Sequence, residues 1–500
     1  MDGPVELRSD GCWGDGEAKE GGTGRHRRKG SGLVDGDVHR DGIVVEGKDD
    51  GLPGLGGVPF SVRTIQGGDE DADVAKLGAF GRQERAARRK GRRDEEEGDQ
   101  VTHNTRGRCR CLSVVGQDQR SLDGPPSADR VKVAVLGGGA LGSSAALALA
   151  GRNHEVTLLE RATLGSGSTA KAAGILSSFA WNDADYKLIA ATRGAIGETI
   201  ALALAAGERA ARGAWRSAPS LVVGSGANIR KLDQLQDRVE RHTEECERLG
   251  HREAQRAFPG LRFNPGDEAI VAQEDGVIEA GDFLAALRAR LDQESVTVQE
   301  QSAARLTELR SRFDAVVVAG GAWTKGILNE VGAALPIQAY RTQLASLAIQ
   351  DGGSLPIVHD LDHHFYTRPE SEGSMLAGNG TQLRPFEPDH YNEVGDPEFV
   401  HSIAERVVAR FADGEGATVR SSWAGLCVAT PDRRPLCGAV PGQEGLFVLT
   451  GDNGFGLMRS LALGEALADA VAGRPDASLA PGRFGREVSD SFEMREGYGG

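Results

Sequence analysis

Residues 137–142, Gly-Gly-Gly-Ala-Leu-Gly, have the types and spacing of a loop that binds the diphosphate of a dinucleotide. An apolar segment precedes the loop, small apolar residues follow it, and Glu160 lies about 20 residues further on. In this pattern Gly137 allows a tight turn, Gly139 lets the backbone approach the phosphates, and Gly142 lets helix and strand pack closely. The helix N-terminus offers N–H donors to the phosphates, and Glu160 can accept hydrogen bonds from ribose hydroxyls.

Two further segments identify the dinucleotide more closely. Residues 165–175, GSGSTAKAAGI, follow the acidic strand end with small and hydroxylic side chains that suit a second approach to the diphosphate. Residues 451–457, GDNGFGL, precede a helix whose N-terminus could stabilise negative charge on a reduced flavin. Because there is only one convincing dinucleotide fingerprint, we expect FAD as cofactor, reduced directly by the substrate rather than by a nicotinamide.

An α/β framework must hold these segments in place. From Val131 onward, short apolar strands alternate with helical patterns, which predicts an α/β fold with a Rossmann-like nucleotide domain. One helix is expected over Lys231–Leu249. His364, Tyr366 and Arg368 alternate on an extended segment, so their side chains are expected to point to one face of a sheet.

The first 129 residues differ in composition from the rest of the chain. They are rich in Gly, Asp, Arg and Glu and hold few periodic segments, so they cannot bury enough apolar surface to offset their chain entropy. Two interpretations stay open. The stretch is a disordered extension, or it is not a natural part of the protein and translation starts near Val131.

Bulk charge and cysteine content exclude several classes of protein. The chain has 73 acidic and 58 basic residues and a formal net charge of -15, which argues against nonspecific binding to nucleic acid. Six cysteines in 500 residues form neither a disulfide framework nor a recognisable metal site. We see no signal peptide and no apolar run approaching the roughly 20 residues that span a bilayer. We therefore expect a cytoplasmic protein with no metal and no membrane span.

Four blocks of sequence resemble the D-amino acid oxidase-like flavoproteins, and the resemblance covers about Val131 to Gly473. The blocks are residues 131–142 with Glu160-Arg161, residues 165–175, Phe313–Trp323 (FDAVVVAGGAW), and Trp423-Ala424-Gly425-Leu426 followed by residues 430–438 and the Gly451 loop.

This resemblance implies a discontinuous FAD-binding domain and an α+β substrate domain with a mixed sheet over the flavin. The implied order is an N-terminal extension (1–129), FAD-binding segments (131–215, 276–334, 423–480), substrate-domain segments (216–275, 335–422) and a flexible tail (481–500). The residues expected to contact FAD are Gly137, Gly139, Ala140, Leu141, Gly142, Glu160, Arg161, Ser168, Thr169, Ala173, Gly174, Ile175, Gly451, Asn453, Gly454, Gly456 and Leu457.

The resemblance also implies an activity, namely oxidation of a C–N bond in a small amino acid of the glycine, sarcosine or D-amino acid type. Hydride would pass to flavin N5, and oxygen or an electron-transfer acceptor would reoxidise the flavin. In the glycine oxidase branch, a tyrosine on an H-x-Y-x-x-P strand contacts the substrate, and His364 and Tyr366 match that motif. Cys427 stands where that branch has a carboxylate-binding arginine, so Arg368 is expected to hold the carboxylate instead.

Several points remain open at this level. Arg341 and Lys171 are further candidates for carboxylate binding. The sarcosine oxidase branch attaches FAD to a cysteine, but Cys427 is offset from that position, so noncovalent FAD is expected. The same fold could instead act on a glycerol phosphate or a modified nucleoside, or the chain could be a noncatalytic nucleotide-binding subunit.

Overall fold

A computed structural model describes residues 130–180, 182–242, 246–350, 352, 355–370, 373–485 and 492–494. The N-terminal extension expected over residues 1–129 lies outside this part of the chain. Within the described residues the predicted α/β fold is confirmed, with a Rossmann-like sheet and a separate mixed sheet. The domain boundaries themselves stay a prediction.

The strands alternate with helices in the first half of the chain and dominate its second half. In chain order the strands are β1 (Lys132–Leu136), β2 (Glu155–Leu159), β3 (Ile175–Leu176), β4 (Trp215–Ser217), β5 (Ser220–Gly224), β6 (Cys246–Gly250), β7 (Glu268–Ala272), β8 (Gly276–Ile278), β9 (Thr297–Gln299), β10 (Ala315–Val318), β11 (Gln338–Ala348), β12 (Ile357–Asp360), β13 (Phe365–Pro369), β14 (Ser374–Gly378), β15 (Gln382–Pro385), β16 (Thr418–Ala429), β17 (Leu436–Ala439) and β18 (Leu446–Thr450).

Helices cover the sheets on their outer faces. They are α1 (Ala140–Gly151), α2 (Asp183–Ala205), α3 (Ile229–Arg241), α4 (His251–Ala257), α5 (Ala280–Gln293), α6 (Leu306–Leu309), α7 (Thr324–Asn329), α8 (Pro397–Arg410) and α9 (Gly456–Val471).

A six-stranded sheet in the order β17-β18-β10-β1-β2-β9 forms the nucleotide-binding part. Its strands pair in parallel except for the antiparallel β17–β18 pair at one edge. The central strands are continuous runs of Val, Leu and Ala because both of their faces are buried. Helices α1, α5 and α9 pack on one face, and α6 and α7 pack on the other.

The second large sheet has nine strands and is mostly antiparallel. Strand β11 pairs along its length with β16 on one side and with β14 and β15 on the other. Apolar residues of β5, β7, β11, β13 and β14 pack under α4 and α8 on one face. The opposite face of β11 to β14 turns toward the nucleotide-binding segments, and the candidate site lies there. A small sheet, β3-β8-β4, links the two parts.

Two element predictions need correction. The helix expected over Lys231–Leu249 ends at Arg241, and Cys246–Gly250 forms β6 instead, where it pairs with β7. His364 precedes β13 with a φ of +53°, so it does not share the strand's alternation.

Parts of the tail expected over residues 481–500 are described. Pro481–Phe484 forms a short 3-10 helix, and Met494 packs with Tyr340 and Ala429. The flexibility of the tail stays a prediction.

Helix α2 combines length with an apolar composition. An 18-residue window of Asp183–Ala205 has a mean hydropathy of 1.4, and 28% of that window is buried. By length and composition alone, this helix of the described chain could cross a membrane. Its buried residues pack against the hydrophobic cluster of Phe283, Leu457 and Leu461.

The crossing of α1 and α9 requires a glycine. A Cβ added at Gly464 would lie 2.5 Å from the backbone oxygen of Ser144 and 3.0 Å from the backbone nitrogen of Ala145. Neither backbone atom can move without shifting α1, so the two helices can pack this closely only when position 464 has no side chain.

We therefore expect Gly464→Ala to destabilise the protein, because it forces α9 away from α1. Overpacking of this kind costs about 1–3 kcal/mol. Gly197→Ala is the matched control, since a Cβ there meets nothing within 4 Å, and it is expected to stabilise helix α2 by up to about 1 kcal/mol. Urea denaturation of both variants measures the difference, and equal or opposite shifts would contradict the packing argument.

Candidate active site

The turn from β1 into α1 forms a cradle made of backbone. Gly137 has a φ of +115°, and a Cβ there would lie 2.4 Å from the backbone oxygen of Ala319. A Cβ at Gly142 would lie 1.9 Å from the backbone oxygen of Gly137, and Gly139 is the N-cap of α1. Only glycine can occupy positions 137 and 142. The backbone N–H groups at the N-terminus of α1 are therefore left open to a ligand.

Glu160 lies at the edge of this cradle, at the end of β2. Its Oε2 accepts a hydrogen bond of 2.8 Å from the Gly138 N–H, and its Oε1 accepts one of 2.9 Å from the Ala162 N–H. The carboxylate is therefore held beside the glycine turn, as the fingerprint predicts. The next residue, Arg161, lies over the Trp323 ring at 3.9 Å and pairs with Asp389 at 3.3 Å.

The second predicted segment lies against the first. Thr169 Oγ1 accepts a hydrogen bond of 3.1 Å from the Ala140 N–H at the start of α1. The Ser168 hydroxyl donates to the backbone oxygen of Leu426 in β16. Gly174 has a φ of +71°, and a Cβ there would lie 2.1 Å from the backbone oxygen of Ile278. Both cofactor segments thus meet at the N-terminus of α1, and the second also reaches the nine-stranded sheet.

The third predicted segment connects β18 to α9. Gly451 and Gly454 have φ values of +72° and +88°, and α9 begins at Gly456. The Asn453 N–H donates to the backbone oxygen of Val428 at 2.9 Å, and Asn453 Oδ1 accepts from the Thr430 N–H at 3.0 Å. The Asn453 side chain therefore fastens the loop to the chain at the end of β16 and is engaged within the protein.

Strand register brings a set of polar side chains to one face of the nine-stranded sheet. Tyr366 is paired with His359 of β12 on one side and with Gly378 of β14 on the other. A Cβ at Gly378 would lie 2.4 Å from the Tyr366 hydroxyl oxygen, so the phenol ring lies directly over that glycine. Tyr340 of β11 pairs with Cys427 of β16, and antiparallel partners point to the same side.

These side chains lie close together in what we call the Tyr366 cluster. The ring centroids of His359 and Tyr366 are 6.2 Å apart, Cys427 lies near both Tyr366 and Asp452, and all four side chains are half-buried. Tyr340 beside them is fully buried. The Tyr366 cluster lies where the loops around Ser168 and Asp452 approach β16.

Burial controls the protonation of this group. It lowers the pKa of His359 to about 4, so the imidazole is neutral at physiological pH. Burial, and then the nearby Cys427, raise the pKa of Tyr366, and burial also raises the pKa of the Cys427 thiol. Burial raises the pKa of Asp452 above its usual value, although Arg459 and backbone N–H groups oppose the shift. Asp452 is the carboxyl group of this set, and burial favours its protonated form more than it would for an exposed aspartate.

The predicted substrate residues are only partly brought together. Tyr366 belongs to the half-buried Tyr366 cluster. His364 lies outside the strand, and its carbonyl oxygen accepts hydrogen bonds from Asn379 and Arg406. Arg368 shares the face of Tyr366, but its guanidinium binds both carboxylate oxygens of Glu279, at 2.8 and 3.2 Å.

The two other cation candidates are also engaged by carboxylates. Arg341 Nη1 lies 2.8 Å from Asp396, and its remaining donors bind the backbone oxygens of residues 392 and 394. Lys171 Nζ lies 3.0 Å from Glu393 and 2.7 Å from the Tyr391 hydroxyl. Each charge is therefore compensated by a carboxylate within the protein.

Arg459 was not predicted from the sequence. It is 1% exposed in the first turn of α9, with Nη2 lying 3.3 Å from Asp185 and the guanidinium 4.9 Å from the Phe455 ring centroid. Its Nε and Nη1 have no hydrogen-bond partner among the described residues. The sequence contained one weak signal for His359, Asp452 and Arg459: each is a polar residue within an otherwise apolar strand, loop or helix.

The residues present fit FAD. The cradle at Gly137 and Gly142 has backbone where side chains would collide, and Glu160 is held at its edge. Buried donors without partners, such as Arg459 Nε and Nη1, are expected beside a ligand rich in acceptors. Among the described residues no cluster of His, Cys, Asp and Glu could hold a metal ion.

Known proteins of similar sequence include the following three relatives. Glycine oxidase of Geobacillus kaustophilus is 25% identical over 384 residues, which are 72% of this chain and 98% of that protein. The tRNA 5-methylaminomethyl-2-thiouridine biosynthesis bifunctional protein MnmC of Thiobacillus denitrificans is 28% identical over 410 residues, 75% of this chain and 62% of that protein. Mitochondrial sarcosine dehydrogenase of Mus musculus is 24% identical over 390 residues, 71% of this chain and 41% of that protein. The chain thus spans nearly all of the first relative and only part of the other two.

Solved structures share the fold. Glycine oxidase from Geobacillus kaustophilus superimposes with a TM-score of 0.61 at 24% identity, covering 72% of this chain and all of that one. L-proline dehydrogenase from P. horikoshii gives a TM-score of 0.62 at 20% identity, covering 73% of this chain and 99% of that one. The model of the FAD dependent oxidoreductase family, DAO, matches residues 132–470. The chain therefore belongs to the DAO family of FAD-dependent oxidoreductases, and FAD is its cofactor.

Proposed function

We propose that this chain oxidises the C–N bond of a small amine or amino acid. The observation that carries the proposal is the half-buried cluster of His359, Tyr366, Cys427 and Asp452, at the junction of the predicted cofactor loops and the nine-stranded sheet. Glycine oxidase and sarcosine dehydrogenase, which this chain resembles over 72% and 71% of its length, are named for substrates that contain such a bond.

The chemistry is divided between cofactor and protein. FAD, when bound, supplies a two-electron acceptor for the hydrogen on the carbon next to nitrogen. The protein must hold the amine without its extra proton and orient that C–H bond. We propose that ionised Asp452 accepts the proton of the substrate ammonium group. Water then adds to the imine product to give a carbonyl compound and the released amine.

The neighbouring side chains have complementary roles in this proposal. Tyr366 keeps its proton, because burial raises its pKa, and its hydroxyl can donate a hydrogen bond to a substrate oxygen. His359 is neutral above about pH 4 and adds no positive charge beside the substrate amine. Arg368 is paired with Glu279 and His364 lies outside β13, so this proposal gives neither of them a contact with the substrate.

We also propose that FAD is held by the cradle at residues 137–142, by Glu160 and Arg161, by residues 168–175 and by residues 451–457. Gly142→Ala is expected to lower the FAD content of the purified protein severely, because its Cβ would meet the Gly137 oxygen at 1.9 Å. Gly151→Ala, in the same helix with nothing within 4 Å, is the control. Absorbance of FAD per polypeptide measures both, and full occupancy in Gly142→Ala would contradict the assignment.

A second candidate substrate follows from the engaged cations. Arg341, Arg368 and Lys171 are each paired with a protein carboxylate. A substrate whose amine is distant from any carboxylate would need none of them. The relative named for 5-methylaminomethyl-2-thiouridine biosynthesis, whose named product contains a secondary amine, supports this alternative. The bond oxidised would be of the same kind.

Anaerobic reduction of the flavin tests the proposal. The purified protein would be mixed with glycine, sarcosine, dimethylglycine, proline, D-alanine and a methylaminomethyl nucleoside, and bleaching of the flavin absorbance would be followed. Rapid bleaching by an amino acid is the expected result, whereas bleaching by the nucleoside alone selects the second candidate. If none of these amines bleached the flavin of the FAD-loaded protein, amine oxidation would be refuted.

Asp452→Asn separates chemistry from folding. Loss of a general base lowers kcat/KM by about 10²–10⁴-fold at neutral pH. The deficit is expected to shrink as pH rises, because an alkaline solution supplies the unprotonated amine. Asp237→Asn, a change at an exposed carboxylate of α3, is expected to leave the profile unchanged. A pH-independent deficit in Asp452→Asn would exclude the role as base.

The same variant has a predicted effect on stability. Because burial raises the pKa of Asp452, the folded chain binds this proton more tightly than the unfolded chain does. Its stabilising contribution is complete below the unfolded value of 3.8 and is lost as pH rises through the raised pKa. Asp452→Asn is therefore expected to be more stable than the wild type at pH 7 and equally stable below pH 3.8. Thermal unfolding across this range measures the difference.

A further inference from the structure

The C-terminal segment Phe492–Met494 returns to the nine-stranded sheet. Gln338, the first residue of β11, donates a hydrogen bond of 2.8 Å from its Nε2 to the backbone oxygen of Phe492. Met494 is 7% exposed and packs with Tyr340 and Ala429, both fully buried. Cys427 and Phe492 border this cluster. The tail is thus attached where β11 and β16 pair.

Register shows which face the tail covers. Cys427 and Ala429 alternate on β16 opposite Tyr340 and Gln338 of β11, so these four residues project to one side of the sheet. Leu426 lies between Gly425 and Cys427 in β16 and projects to the opposite face of the strand. There it packs with the core of the six-stranded sheet. The tail therefore lies on the face of the sheet to which Cys427 projects.

The side chains of this contact are mostly apolar. The Met494 thioether, the Phe492 ring and the Ala429 methyl carry no charge, and burial raises the pKa of the Cys427 thiol, which keeps it neutral. The polar groups are the Gln338 amide and the Tyr340 hydroxyl, and Asp452 supplies a carboxyl group near Cys427. A substrate bound there would meet the Asp452 carboxyl group and a largely hydrocarbon surface near Cys427.

We propose that Phe492 and Met494 form one wall of the proposed substrate site, beside Cys427. They would select an amine that carries an apolar group, such as an N-alkyl group or a hydrocarbon side chain, next to this wall. The substrate class rests on the proposed function, whereas coverage of Cys427 by the tail does not. A carboxylate at this position would lose its hydration without gaining a charged partner. In this proposal Phe492 and Met494 select the substrate, and the nearby Asp452 removes the proton from its amine.

The first measurement is alkylation of Cys427 by N-ethylmaleimide, followed by mass spectrometry of the full-length FAD-loaded protein. Met494→Ala and Phe492→Ala are expected to react at Cys427 about tenfold faster than the wild type, since openings that expose the thiol become more frequent. Glu493→Ala is the matched control, because this exposed side chain lies between the two. Cys437, which is 2% exposed in the other sheet, reports any general unfolding. An unchanged Cys427 rate in both variants would overturn coverage by the tail.

The second measurement compares kcat/KM for sarcosine and for its N-ethyl and N-propyl analogues. Met494→Ala is expected to shift the ratio toward the larger amines by about tenfold, the usual discrimination for one or two methylenes, chiefly through KM. Unchanged ratios with a faster-reacting Cys427 would show that the tail covers the thiol without selecting substrate, which overturns the specificity claim. If no amine is oxidised by the wild type, the proposed function fails, while alkylation still reports the position of the tail.

Discussion

The arrangement of this protein depends on contacts in which backbone meets backbone around helix α1. Gly142 lies over the Gly137 oxygen at the start of the helix, and Gly464 of α9 lies over the Ser144 oxygen. At both places a methyl group would occupy space already filled by main chain. The first contact presents the helix N-terminus at the cofactor cradle, and the second fixes α9, whose first turn carries Arg459. Two of the segments proposed to hold FAD are therefore positioned by the absence of side chains.

Strand β16 connects the nucleotide-binding part to the Tyr366 cluster. The Ser168 hydroxyl donates to the oxygen of Leu426, and the Trp423 indole donates to the oxygen of Lys171 at 3.0 Å. The Asn453 N–H donates to the oxygen of Val428 in the same strand. Two main-chain oxygens and one indole of a single strand thus hold two loops that are far apart in sequence. The Tyr366 cluster takes its members from the nine-stranded sheet and from the loop that Asn453 anchors.

The interior compensates most of its cations. Arg410 is 1% exposed and bonds Asp267 and Asp360, and Arg341 and Arg368 each have a carboxylate partner. Removing one partner of such a pair leaves a buried charge uncompensated, which is strongly destabilising. These arginines are therefore held in ion pairs within the fold. The Tyr366 cluster consists of neutral phenol, thiol and imidazole groups and the carboxyl group of Asp452.

Local pattern in the sequence determined the glycine cradle, the acidic strand end, the α/β alternation and the FAD-dependent family, because each depends on residues close together in the chain. It also singled out Tyr366, because residues 364–369 resemble the H-x-Y-x-x-P strand of the glycine oxidase branch. It could not assign Arg368 to Glu279, because that pair joins residues 89 positions apart. Nor could it find the contact of Met494 with Tyr340, or the partner of Cys427 across β11. Such pairings depend on strand register and on how the two sheets pack, and the periodicity of one segment carries no information about its partner. The tertiary structure alone decided which of the candidate polar groups are engaged by the fold and which remain for chemistry.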